Sequence, residues 1–367
     1  MRILYDGKIY GIQTAGGINR YFENLICRLP KNFIPTITSP ESPKFHYPSH
    51  PNLKKSFYPK LKLPPKLSLG LQKYYFRSIN NINSFDVAHP TYYKLLTRLD
   101  LDKYKCPVVL TVHDMIYEIF SNTADPYGQK AEYKRKAILA AEAIICVSEN
   151  TKKDLLERHP SLEDKITVTY LASDIDASLS HGSELVPSRP YYLYVGNRNK
   201  YKNFDGLLQA LVKTVSIEPD VVLCIVGSPL NKTEEELIAE LKLTNHIEYY
   251  GYVSDSHLAK LYRCSVAFVY PSLYEGFGIP PLEAMSCGTA VVASNCSSIP
   301  EVVGDAGLLF EPNATSDLTD ILLLLLNSST ERDRLIQKGY QRTQAFSWDK
   351  TAAQTINVYQ SVSSSSN

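Results

Sequence analysis

The chain lacks a long apolar run, any C-x-x-C pair, a G-x-G-x-x-G string and an excess of charge of either sign. Each absence removes a class of protein. The longest leucine run, Leu322 to Leu326, is far too short to span a bilayer. Seven cysteines fall singly along the sequence, which argues against a zinc knuckle or a disulfide framework. Cys146 and Cys224 sit inside apolar runs and read as small core residues of a reduced, cytosolic protein. Lys and Arg (39) balance Asp and Glu (38), so the net charge of +1 gives no global pull toward nucleic acid. The opening Met1-Arg-Ile-Leu-Tyr-Asp-Gly7 lacks the apolar core of a signal peptide, so triplets such as Asn231-Lys-Thr233 carry little meaning as glycosylation sites. Gly276-x-Gly278 is followed by Pro281, which disfavours a nicotinamide-dinucleotide enzyme.

A chain of 367 residues is large for one core, and 44% hydrophobic with 21% charged residues describes a globular protein of two ordinary domains. Strand and helix patterns alternate, which implies an α/β fold with parallel, helix-covered sheets. The first half opens with a strand at Arg2 to Tyr5, a loop ending in Gly16-Gly17, and an amphipathic helix over Ile18 to Leu29. Residues 39–66, rich in Pro, Ser and Lys, read as a long excursion outside the core. Strands follow at Val87 to His89, Pro107 to Val112 and Ala143 to Val147, with a helix over Gln129 to Glu142 and another running from the N-cap Ser148 to Arg158. Apolar periodicity fades between Ala172 and Pro190 and restarts at Tyr191. The expected organisation is a first domain over 1–172, a linker over 173–189, a second domain over 190–345 and a terminal helix over 346–362, with Ser363 to Asn367 without order.

Chemistry concentrates in Tyr270-Pro-Ser-Leu-Tyr-Glu275-Gly-Phe-Gly278-Ile-Pro-Pro-Leu-Glu283-Ala-Met-Ser-Cys-Gly288. It follows a strand-like run, Val266 to Val269. Pro281 suits a first helical turn, Gly288 a helix stop, and a second strand-like run follows at Ala290 to Ala293. Two carboxylates, Glu275 and Glu283, are thus held at a strand-to-helix junction, where open α/β sheets bind ligands. An ordinary turn with solvated acids is the plain alternative. In Tyr194-Val-Gly196-Asn-Arg198-Asn-Lys-Tyr-Lys202-Asn203, a strand-end glycine precedes two cations four residues apart, suited to a diphosphate. Gly16-Gly17-Ile18-Asn19-Arg20-Tyr21 opens a helix after a loop. Thr111-Val112-His113-Asp114-Met115 ends a strand, and His89-Pro90-Thr91-Tyr92-Tyr93 follows another.

The string Glu275-Gly-Phe-Gly-Ile-Pro-Pro-Leu-Glu283 resembles the E-x7-E signature of retaining nucleotide-sugar glycosyltransferases of the group 1 class, and the glycine and basic motifs resemble that family's phosphate-binding stretches. The resemblance implies the GT-B fold, two Rossmann-like domains with parallel sheets facing a central cleft. It implies a catalytic set of Glu275, which holds the donor sugar near its reacting face, His113 against the sugar hydroxyls, and Asp114 orienting the histidine or touching the acceptor. It implies further that Arg198, Lys202 and Gly17 contact the donor diphosphate, that the Gly276, Phe277 and Gly278 amides orient the sugar, and that Glu283 binds the ribose. The Gly-Gly-Ile-Asn-Arg-Tyr and His-Pro-Thr-Tyr-Tyr strings are similar to those of bacterial mannosyltransferases of polysaccharide assembly, which implies GDP-mannose as donor and a glycan or lipid-linked oligosaccharide as acceptor.

The triplets Asp100-Leu-Asp102 and Asp174-Ile-Asp176 would be metal ligands in the other large glycosyltransferase fold. Here they lie in polar segments and read as surface acids, so no metal or other cofactor is expected. Leu53 to Arg77 holds six Lys and one Arg with no acid, which suits either a mobile solvated loop or peripheral contact with the inner face of an anionic membrane. Two rival functions share the pattern: a nucleotide-sugar epimerase of the same fold and a non-catalytic sugar-nucleotide-binding subunit.

Overall fold

The computed structural model describes residues 1–13, 16–41, 47–59 and 62–364. It divides into two compact units, Met1–Leu171 with the segment from Trp348, and Ala172–Ser347. In the first unit the strands are β1 (Arg2–Asp6), β2 (Ile34–Pro40), β3 (Lys54–Tyr58), β4 (Val87–Ala88), β5 (Val109–Val112), β6 (Ala143–Cys146) and β7 (Ile166–Val168). They form parallel sheets in the orders β3-β2-β1-β4 and β5-β6-β7, joined by a parallel bridge between Ala88 and Val108. The crossovers carry α1 (Gly17–Cys27), α2 (Pro65–Ile82), the one-turn helices α3 (Ile116–Ile119) and α4 (Ser121–Ala124), α5 (Gln129–Ala140) and α6 (Glu149–Arg158). Ser148 caps α6 by accepting from the Thr151 N–H.

The terminal helix Trp348–Ser364 completes this unit's core. A buried hydrogen-bond chain runs from Tyr5 Oη to Tyr359 Oη (3.2 Å), to His89 Nδ1 (2.6 Å), from His89 Nε2 to Thr111 Oγ1 (2.8 Å), and from Thr111 Oγ1 to Tyr21 Oη (3.0 Å). It ties α1, β1, β4, β5 and the terminal helix through polar groups that burial alone would penalise. His89, a candidate for packing or for acceptor binding, is fully buried and takes the packing role.

The second unit is one parallel sheet of β8 (Tyr191–Val195), β9 (Val222–Val226), β10 (Ile247–Gly251), β11 (Ala267–Tyr270), β12 (Val291–Ser294) and β13 (Gly307–Phe310). Their order is β10-β9-β8-β11-β12-β13. The chain therefore winds outward one way from β8 and the other way from β11, and the reversal lies between those two strands. The helices are α7 (Phe204–Ile217), α8 (Lys232–Glu240), α9 (Asp255–Cys264), α10 (Ile279–Ser286), α11 (Ile299–Val303), α12 (Thr315–Asn327) and α13 (Ser329–Thr343). Their apolar faces, such as Leu207, Leu208 and Leu211 of α7 and Leu318, Leu322 and Leu325 of α12, close over inward-facing Tyr192, Leu223, Val269 and Val292. The segment expected as a linker is pinned to α9: Lys260 donates to the Gly182 and Glu184 carbonyls and Arg263 to Ser180 Oγ.

The expected excursion over 39–66 is corrected in its described part. β3 pairs in register with β2, from Thr36–Lys54 to Pro40–Tyr58. The prolines precede a helix instead of breaking one, because Pro64 occupies the N-cap and Pro65 the first turn, where a missing N–H costs nothing. Residues 42–46, 60 and 61 of that stretch, and 365–367 of the expected tail without order, lie outside the described residues.

Burial pushes the His89 pKa down to about 3, so the ring is neutral in the folded state while an unfolded chain protonates it near 6.5. As pH falls below that value the unfolded state gains a proton the native state refuses, and stability drops. The stability gap between wild type and His89→Gln, measured by urea unfolding, is expected to shrink by about 1.4 kcal/mol per pH unit between pH 6 and 4. A constant gap would contradict a neutral buried ring.

Candidate functional site

In the second unit the site is set by the strand-order reversal. Loops leaving the carboxyl ends of β8 and β11 flank it, and the Leu273 N–H donates to the Tyr201 carbonyl at 2.7 Å to join them. Lys202, at the end of the first loop, places Nζ 2.6 Å from Glu275 Oε1 of the second, with side chains only 15% and 10% exposed. The ammonium also stands over the Tyr201 and Tyr270 rings at 5.3 and 5.6 Å. The Tyr270 hydroxyl is held well above its ordinary pKa by burial and then by the Glu275 charge.

The Glu275 backbone is fixed from the loop after β12. Its N–H donates to Ser297 Oγ (2.9 Å), and the Ser298 hydroxyl reaches the carbonyls of Glu275 (2.9 Å) and Phe277 (2.7 Å). Ser297 itself sits at φ +51, a conformation a non-glycine residue holds only when its surroundings enforce it. Gly278 at φ +121 provides the sharp entry into α10 that a side chain would strain. Glu283 is buried in the first turns of α10, and its Oε2 accepts from the Tyr262 hydroxyl of α9 at 3.0 Å. On the β8 side, Gly227 is required for a different reason, since a Cβ there would fall 2.4 Å from the Gly196 carbonyl oxygen.

Arg198 departs from expectation. Its side chain is only 2% exposed and is aimed at Glu234, 3.0 Å from Nε, while Nη2 donates to the Ser228 and Pro229 carbonyls at 2.8 and 2.7 Å. The neighbouring acid on α8 has claimed the guanidinium, so Arg198 braces loops and Lys202 alone of the pair meets Glu275.

In the first unit Gly17 begins α1, and Tyr21, one turn on, meets the His113 ring edge-on at 5.3 Å. His113 is half-buried, with its N–H donated to Tyr93 Oη at 3.3 Å. Burial pushes the ring pKa down to about 4 against the opposing pull of Asp114, so it is neutral at pH 7. Asp114 caps the turn that follows, Oδ1 accepting from the Ile116 N–H at 3.0 Å. Lys134 of α5, fully buried, anchors that turn by donating to the Asp114 carbonyl (2.8 Å) and pairing with Glu118 (2.7 Å). Asp102 pairs with Lys103, and Asp176 caps Ser178. Among the described residues no group of three or more His, Cys, Asp or Glu is placed to hold a metal ion.

Sequence reasoning did not name Ser297, Ser298, Tyr262, Glu234 or Lys134. The signal for the serines was available: Asn295-Cys-Ser-Ser298 follows a strand beside β11, where polar residues at a carboxyl end face the same ligand edge.

Comparison with known proteins agrees with this geometry. Residues 179–342 match the glycosyl transferases group 1 family and residues 15–177 match glycosyltransferase family 4. The chain is 34% identical over 267 residues to the O-antigen chain mannosyltransferase B of Escherichia coli, covering 68% of this chain and 69% of that one. The chain belongs to the group 1 glycosyltransferases. It is also 32% identical over 293 residues to an MMP alpha-(1->4)-mannosyltransferase of Mycolicibacterium hassiacum, covering 75% and 70% of the two chains. The GT-B fold extends to a sucrose-phosphate synthase from Thermosynechococcus elongatus, which matches over 99% of both chains with a TM-score of 0.76 at 20% identity.

Ser298→Ala removes the one hydroxyl that grips both the Glu275 and Phe277 carbonyls at a fully buried position. It is expected to lower stability by about 1–3 kcal/mol in urea unfolding. An unchanged midpoint would show that this grip contributes nothing.

Proposed function

We propose that this glycosyltransferase moves a hexose, mannose from GDP-mannose, to a hydroxyl of a growing glycan or lipid-linked oligosaccharide, with retention at C1. The observation that carries the reading is the Lys202–Glu275 pair astride the strand-order reversal, where a nucleotide-bearing ligand meets the carboxyl ends of the strands. Relatives named for mannosyl transfer at 34% and 32% identity support the choice of sugar.

In this scheme the bond from C1 to the β-phosphate oxygen breaks, and its electron pair leaves with the diphosphate. The acceptor oxygen bonds to C1 on the same face while its proton passes to the departing phosphate oxygen. Lys202 and the amino end of α10 supply positive charge to that leaving group, so no metal is required. Glu275 holds the sugar, with the Gly276, Phe277 and Gly278 amides orienting it. Glu283, one of whose carboxylate oxygens is fixed by Tyr262, takes the ribose hydroxyls. In the first unit, Gly17 is assigned to the diphosphate, His113 to the sugar hydroxyls as a neutral ring, and Asp114 to holding that histidine's segment.

The second partner we assign is an anionic membrane at the cytoplasmic face. Leu67, Leu71, Tyr74 and Ile82 of α2 are 53%, 42%, 64% and 81% exposed, and at 100° per residue they share an arc of about 80°. Lys66 and Lys73 flank that arc on one side, while Phe76 packs inward against Tyr58 and Leu96. No Asp or Glu occurs between Glu41 and Asp86. Among the described residues no helix is long and apolar enough to cross a membrane.

Glu275→Gln is expected to keep GDP binding by isothermal titration but to lose at least about 100-fold in transfer, whereas Lys202→Ala weakens both. Wild-type transfer by Glu275→Gln would refute the assigned role, and a preference for UDP or ADP would refute the donor. For the membrane, Leu67→Gln with Leu71→Gln is expected to abolish co-sedimentation with phosphatidylglycerol vesicles while leaving thermal stability unchanged. Undiminished sedimentation, or none by the wild type, would rule out α2 as the contact.

A further inference from the structure

A pocket of about 270 Å³ lies in the first unit, away from Gly17, between the segment after β4 and helix α5. At ~30 Å³ per water this is room for roughly nine waters, enough for a phosphoryl group with part of a sugar ring. Its walls include Tyr93 and Tyr133, and its charged lining is Lys94, Arg98 and Lys136 against Asp100, with Glu132 of α5 3.7 Å from the Lys136 ammonium. The Lys94 ammonium stands 4.7 Å over the Tyr133 ring.

Arg98 is the unusual member. Its backbone is left-handed at φ +51, a conformation that is strained in a residue other than glycine. Asn would adopt it more easily, yet the position carries an arginine. Among the described residues no hydrogen bond or ion pair engages its guanidinium. The cationic field extends to Lys8, whose pKa is lowered by burial and further by Lys94 and Arg98, against the opposing pull of Asp6. A concentration of like charge in a shaped hollow is unfavourable until an anion enters it.

We infer that this pocket binds a phosphorylated sugar, with Arg98, Lys94 and Lys136 on the phosphoryl oxygens and the Tyr93 and Tyr133 rings against the sugar. The arginine fork suits two phosphoryl oxygens at once. A free sugar phosphate and a sugar carried on a polyprenyl diphosphate present this same chemistry. Tyr93 lines the pocket and its hydroxyl also accepts the backbone N–H of His113. The inference does not rest on the donor-site reading, since none of the pocket's lining residues is among those assigned to the donor.

The test titrates α-mannose 1-phosphate and inorganic pyrophosphate into the Lys202→Ala chain, in which the proposed donor diphosphate site is weakened. A saturable site is expected for both probes, weakened at least about tenfold by adding Arg98→Asn. Asn relieves the backbone conformation, so the melting temperature should hold or rise. Lys136→Gln, on the exposed face of α5, should weaken binding without touching the loop. Phosphatidylcholine vesicles with and without a mannosyl polyprenyl diphosphate separate the sources. Recruitment that depends on Arg98 assigns the lipid-linked form, and soluble binding without recruitment assigns the free sugar phosphate. Absence of saturable binding, or binding indifferent to both Arg98→Asn and Lys136→Gln, overturns the proposal.

Discussion

A lysine and a glutamate 73 positions apart in sequence meet because a parallel sheet reverses its winding between β8 and β11. The two strands run parallel and the loops that leave their carboxyl ends diverge, so side chains at the reversal face an opening. The Lys202–Glu275 pair is mostly screened from water and is held by hydrogen bonds to the Glu275 backbone rather than by its own charge alone. This matters energetically, because a nearly buried ion pair whose desolvation is offset only by mutual attraction contributes little. Ser297 and Ser298 clamp the main chain that carries the carboxylate, so its position does not depend on the lysine alone.

The first unit applies a related logic with neutral groups. Three tyrosines, a histidine and a threonine share hydrogen bonds that join three strands and two helices out of reach of water. His89 can serve in the middle of that chain only as an uncharged ring with one nitrogen donating and the other accepting. The neighbouring His113 is also kept neutral, but at a strand end and half-exposed, which leaves it able to meet a polar ligand.

Much of this arrangement could be read from the residues. Alternating apolar runs located β8 to β12, and the glycine, proline and glutamate spacing after β11 located the junction, because local backbone demands there are strict and leave a mark on residue choice. The stretch around β3 and α2 was misread because its prolines stand before the helix, where they favour it, and periodicity counted through them is blurred. The pairing of Arg198 with Glu234 was not legible for another reason: Glu234 lies on a helix one strand further along, and no spacing rule connects the two. The two serines were legible only as polar residues at a strand's carboxyl end, and Lys134 left no signal, because its partners Glu118 and the Asp114 carbonyl lie outside its own helix.

The terminal helix returns Tyr359 to the core that the first 171 residues begin, so the chain visits one unit, builds the other entire, and comes back. The second unit is therefore an uninterrupted insertion, while the first is a split one closed by its last helix. Exchange between related genes can swap the inserted segment as a single block, whereas any exchange of the first unit has to bring both of its ends from the same parent. Without the last helix, His89 has no partner on its Nδ1 side, so the first unit's interior is completed only by a segment that lies beyond the whole second unit in sequence.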